Sequence, residues 1–116
     1  MDLEEYMILI NSSAVLDYTT LNVTLFEVTA RKKEKLAKEI QRILKNNKIE
    51  KPSLYSSPDE LITDYFKVDL SSEIVRKIIH VFRGLETSYL GPKGEATPTA
   101  AFYASFVDKW NKITPG

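Results

Sequence analysis

Cysteine is absent from the 116-residue chain, and histidine occurs once, at His80. Those two scarcities remove disulfide frameworks, thiolate chemistry, zinc ribbons, histidine-dependent triads and two-histidine metal centres. With only four glycines and five prolines, the chain holds no low-complexity tract, and no internal repeat or linker stands out. No apolar run is longer than the five residues of Tyr6 to Ile10, far below the roughly 20 residues that cross a bilayer, and no basic region precedes that run as in a secretory leader. The expectation is an intracellular, cytoplasmic protein without membrane association. The same scarcities lead to the expectation of a non-enzyme that uses no cofactor and no metal.

What is present is the composition of one soluble globular domain, 1–116, with 43% hydrophobic and 28% charged residues. Sixteen basic and sixteen acidic residues cancel, so whole-chain charge argues for no partner. The distribution does. Residues 1–30 carry five acids (Asp2, Glu4, Glu5, Asp17, Glu27) and no Lys or Arg, whereas residues 31–51 carry nine bases against three acids. A neutral total conceals one concentrated positive segment.

Hydrophobic periodicity predicts a mainly α-helical bundle of about five helices, with a short β element near the N-terminus left open. Between Ala30 and Asn47, Leu36, Ala37, Ile40, Ile43 and Leu44 recur on one helical face. Ser57-Pro58-Asp59-Glu60 reads as a capped helix start, with Leu61, Ile62, Tyr65 and Phe66 as its apolar side and Asp69 opening the next start. Ile74, Val75, Ile78, Ile79, Phe82 and Leu85 form a further stripe, which Gly84 either ends or weakens. Thr97-Pro98 repeats the cap-plus-proline device ahead of Ala100 to Trp110. Residues 1–29 admit two readings. Leu3, Met7, Ile10 and Ala14 fit a helix capped by Asp2, while Tyr6 to Ile10 and the alternating Leu21 to Leu25 fit strands; helix is favoured. The basic helix is expected to pack Leu36, Ile40, Ile43 and Leu44 against Ile74, Ile78, Phe82 and the C-terminal aromatics.

Arg31, Lys35, Lys38, Arg42 and Lys45 fall at i, +4, +7, +11 and +14, within about 40° of a common line opposite the apolar face. Over 14 residues such a stripe is roughly 21 Å long, enough to follow consecutive phosphates without reading bases. The competing readings are a solvated helix face and a surface for an acidic protein partner. Gly91-Pro92-Lys93-Gly94 lacks the spacing of a phosphate-binding loop and reads as a turn. Phe102, Tyr103, Phe106 and Trp110 read as core rather than as base-stacking groups, and His80 as a packed or surface residue. Asp59, Glu60 and Asp64 read as helix-start acids rather than as a Mg²⁺ site.

Two resemblances accompany these readings. Ile8 to Asp17 resembles the opening strand and turn of PIN-domain ribonuclease toxins, and Thr20 to Val28 their second acidic motif. That likeness implies a degenerate metal nuclease built around Glu27, but Asn11 stands where the family's first acid would be, and the spacer is too short to join parallel strands. Read as helices, with Tyr18 to Asn22 leading toward Arg42-Ile43-Leu44 and Ala100 to Trp110 closing the chain, the sequence is similar in size and layout to the small subunit of archaeal type I-A CRISPR interference (Cascade) complexes. This resemblance implies a non-catalytic helical bundle in a larger ribonucleoprotein for antiviral defence. Its partners would be single-stranded nucleic-acid backbone, other effector subunits and further copies of itself. The Lys- and Glu-rich helices suit a thermophilic source. The alternative from another class is a protein–protein adaptor or a virus- or plasmid-encoded regulator, with Glu4, Glu5 and Asp17 meeting a basic partner.

Overall fold

A computed structural model describes residues 2–52 and 63–113. Its elements run α1 (Leu3–Ile10), β1 (Val15–Asp17), α2 (Tyr18–Ala30), α3 (Glu34–Asn46), β2 (Tyr65–Lys67), α4 (Ser72–Ser88) and α5 (Pro98–Asn111). The fold is mainly α, with five helices and a single two-stranded sheet among the described residues. Residues 6–10 and 22–28 are helical, so the strand alternative for both segments is set aside. The β element near the N-terminus is instead β1, paired antiparallel with β2 in the register Val15–Lys67, Leu16–Phe66 and Asp17–Tyr65.

Local chemistry accounts for most boundaries. Asp2 caps α1 by accepting from the Glu5 N–H at 2.8 Å, Ser71 caps α4 through the Ile74 N–H, and Thr97 caps α5 through the Ala100 N–H with Pro98 at its first position. Gly84 neither ends nor breaks α4, which runs on to Ser88. The start signal proposed at Asp69 is displaced to Ser71, because the Asp69 carboxylate is engaged by Arg42.

Two expected helices are corrected. Ser57 to Ile62 lies outside the described residues, but Tyr65 and Phe66, assigned to the same helix, form β2. There the half-buried, buried, exposed pattern of Tyr65, Phe66 and Lys67 has the period of a strand. β2 is also bonded on its other edge, where the Ile49 N–H donates to the Tyr65 carbonyl and the Lys67 N–H to the Asn47 carbonyl. The helix expected over residues 30–47 begins only at Glu34. The Lys32 N–H donates to the Thr29 carbonyl and the Lys33 N–H to the Val28 carbonyl, while Lys32 itself has φ 59°. This is a Schellman ending for α2, with lysine at the left-handed position that glycine normally fills.

The main core joins α2, α3, α4, α5 and β2 through Leu21, Val28, Ile40, Ile43, Phe66, Ile78, Phe82, Phe106 and Trp110, all at most 3% exposed. Within it α3 packs chiefly on α2, and α4 on α5 as an antiparallel pair. Direct packing of α3 on α4, expected from the apolar stripes, is therefore only marginal. A smaller cluster of Tyr6, Ile10, Val15 and Ile49 anchors α1.

Candidate nucleic-acid interface

The apolar stripe of α3 is inward as its spacing requires: Leu36, Ala37, Ile40 and Ile43 are buried and Leu44 half-buried. The opposite face carries Lys35, Lys38 and Lys45, all exposed, and no carboxylate among the described residues pairs with them. Three of the five cations in the proposed stripe are thus presented as expected.

The other two are placed differently. Arg31 precedes α3, and its guanidinium reaches back to the Glu27 carboxylate at 2.8 Å and to the Glu27 carbonyl at 3.1 Å. Arg42 lies on α3 but is bound bidentately by Asp69 at 2.9 and 3.1 Å and by Glu39 at 3.1 Å. These bonds push its pKa up and hold the Asp69 carboxyl below the usual carboxylate range. Asn47 donates to both Asp69 and the Lys67 carbonyl, so the group ties the C-terminal half of α3 to the segment after β2. Arg42 is a tether of the fold, and the outward ladder shortens to Lys35–Lys38–Lys45, about 15 Å at helical rise.

A second cationic feature was missed in the sequence because its residues belong to two elements. Lys33, Lys35 and Leu36 at the start of α3 face Arg76, Lys77, His80 and Val81 of α4 across a groove of about 590 Å³. Glu73 pairs with Lys77 at 3.2 Å, and Glu34 stands on the same rim. Arg76 and His80 are exposed, with Arg83 one helical turn beyond at matching phase. Spacing along α4 could have revealed this side: Arg76, His80 and Arg83 at i, +4 and +7 lie opposite Ile78, Phe82 and Leu85.

Glu27, the acid singled out for metal chemistry, is occupied. It is 7% exposed and accepts from Arg31 and from the Tyr103 hydroxyl at 2.8 Å, a bond that pushes the phenol up to about 12. Beside it the Trp110 Nε1–H donates to the Thr24 hydroxyl at 3.0 Å, and that hydroxyl donates to the Thr20 carbonyl. Together these bonds satisfy the polar groups of α2 against α5. Among the described residues no three Asp, Glu or His side chains converge as a metal ligand set. Asp64, grouped in sequence with Asp59 and Glu60 (which lie outside the described residues), faces Lys51 at 2.9 Å and Lys48 at 3.6 Å. The Lys51 hydrogen bond leads in lowering its pKa.

The remaining aromatics divide. Phe106 stacks on Phe82 at 5.2 Å and Trp110 is fully buried, as core residues should be, but Phe102 is 48% exposed. Gly91 to Glu95 closes as a turn, with the Gly91 N–H on the Glu95 carbonyl and the Lys93 N–H on its carboxylate. No helix among the described residues is long and apolar enough to cross a membrane. No family model, curated protein or solved structure matches the chain.

Proposed function

We propose that this protein binds the nucleic-acid backbone without regard to sequence, as a small non-catalytic subunit of a larger ribonucleoprotein of the CRISPR-effector kind. Lys35, Lys38 and Lys45 on the outward face of α3 are its phosphate contacts. The observation that carries the reading is that these three ammonium groups share one rigid face and lack carboxylate partners among the described residues. Each is therefore available to displace a counterion from a phosphate. A helix fixes their spacing without fixing any base, and no aromatic side chain accompanies them on that face. Contact is therefore with the backbone rather than with base edges.

Three lysines make a weak site alone. Affinity of use to a cell then depends on several such sites held along one strand, which is the setting that a subunit of an assembly provides. A fluorescence-anisotropy titration of unstructured single-stranded DNA at several salt concentrations tests the reading. Binding that weakens steeply with salt and vanishes in Lys38→Glu/Lys45→Glu supports it, and equal binding by that variant removes it.

A further inference from the structure

We propose that the groove between the first turn of α3 and α4 is the seat of α1 from a second copy of this chain. The two surfaces are complementary in charge, and each has an apolar centre. The outward face of α1 presents Ile8, 69% exposed, between exposed Glu4 and Glu5, which lie about 40° and 60° to either side of it at helical spacing. Tyr6 and Ile10, on the opposite side, are buried in the small cluster and fix that orientation. α1 is thus an acidic ridge with an apolar centre. The groove has the opposite balance of charge: Leu36 and Val81 lie in its lining, and Lys33, Lys35, Arg76 and Lys77 outnumber Glu34 and Glu73 on its rim, with His80 beside them. Oppositely charged rims steer such an encounter and fix its register, while the isoleucine supplies the apolar contact.

The contact cannot form within one chain. Leu9 of α1 borders Asn46 to Ile49 at the C-terminal end of α3, whereas the groove opens at its N-terminal end, about 20 Å away over 13 residues. Ridge and groove are therefore different surfaces at opposite ends of α3. Their union joins two unlike surfaces, which closes as a two-fold dimer where both contacts form reciprocally and otherwise extends into a ring or an open filament. A ridge of one short helix buries little area, so association is weak and salt-sensitive. The groove shares Lys35 with the proposed phosphate contacts, but the test below leaves Lys35, Lys38 and Lys45 unaltered, so the failure of either proposal is read separately.

Light-scattering mass of the full chain, followed against protein concentration at low and high salt, is the measurement. Mass should rise with concentration at low salt and fall back at high salt. Ile8→Asp, the pair Glu4→Lys/Glu5→Lys and the pair Lys33→Glu/Arg76→Glu should each weaken association by about tenfold or more. All of these positions are exposed, so helical circular dichroism should be unchanged. An equimolar mixture of the two charge-reversed pairs should regain association, since each then offers the other an opposite rim. A wild type that stays monomeric at millimolar concentration overturns the proposal, as does association insensitive to Ile8→Asp or a mixture that stays dissociated.

Discussion

Removing one oxygen atom, in Tyr103→Phe, tests the seam between α2 and α5. The phenol donates to a carboxylate that is 7% exposed, at 2.8 Å, and this bond is the first cause holding the Tyr103 pKa up at about 12. Hydrogen bonds to charged groups contribute about 1.5–3 kcal/mol. Glu27 keeps Arg31 as a second donor, so the lower half of that range applies, about 1.5–2 kcal/mol. For a domain of 116 residues, where 1 kcal/mol shifts the melting temperature by about 4 °C, that lowers it by about 6–8 °C.

The same bond carries a pH signature. The folded pKa lies above the unfolded value of 10, so the protonated phenol is favoured by folding. Its contribution is complete below pH 10 and drains away as pH rises from 10 to 12. The ceiling for a two-unit shift is about 2.7 kcal/mol, and partial solvent contact reduces it to about 1–2 kcal/mol. Urea unfolding of wild type and Tyr103→Phe at pH 8, 10, 11 and 12 should therefore give two stabilities that converge with rising pH. A double-mutant cycle with Glu27→Gln should assign the gap to that pair. Equal stability at pH 8, or a gap that persists unchanged to pH 12, would refute the reasoning.

Other perturbations follow from the same geometry. Asp69 is held below its ordinary pKa first by the Arg42 hydrogen bond. Its contribution is thus full above about pH 4, the unfolded carboxylate range, and is lost as pH falls through the lower folded value; Asp69→Asn should flatten the acid limb of a pH-dependent melt. Lys32→Gly should stabilise the protein by about 1 kcal/mol in denaturant unfolding, because glycine takes the left-handed conformation without the cost that a Cβ imposes. A destabilising Lys32→Gly would contradict the Schellman assignment. Phe82→Ala, which empties a fully buried position against Phe106, should cost about 3–5 kcal/mol.

The helical class was legible because period and punctuation agree in α4 and α5. Apolar stripes there are preceded by Thr97-Pro98, read as a cap in the sequence, and by Ser71, where the cap falls two residues after the expected one. The break between α2 and α3 was hidden because Arg31-Lys32-Lys33 contains good helix formers and no glycine, so nothing local announces a left-handed residue. β2 was hidden for a different reason. Three residues carry too little period to separate strand from helix, and the pairing that decides the matter is supplied by Val15–Asp17, about fifty residues earlier. The cationic ladder was half legible. Spacing placed Lys35, Lys38 and Lys45 on one face, but only tertiary structure brings Asp69 to Arg42 and leaves Arg31 on Glu27. The groove needed both α3 and α4 in place, and neither helix alone implies it.

The central claim is that three unpaired lysines on α3 meet phosphates, and the slope of log affinity against log salt on single-stranded DNA measures their number. Three contacts predict a slope near −2, against about −3.5 for the five-cation stripe that sequence spacing alone would give. Lys38→Glu/Lys45→Glu is the decisive variant, because it leaves the Arg42–Asp69 tether intact, and it should bring binding to background with helical content unchanged. Salt-independent binding, or a variant that binds as wild type does, would contradict the account.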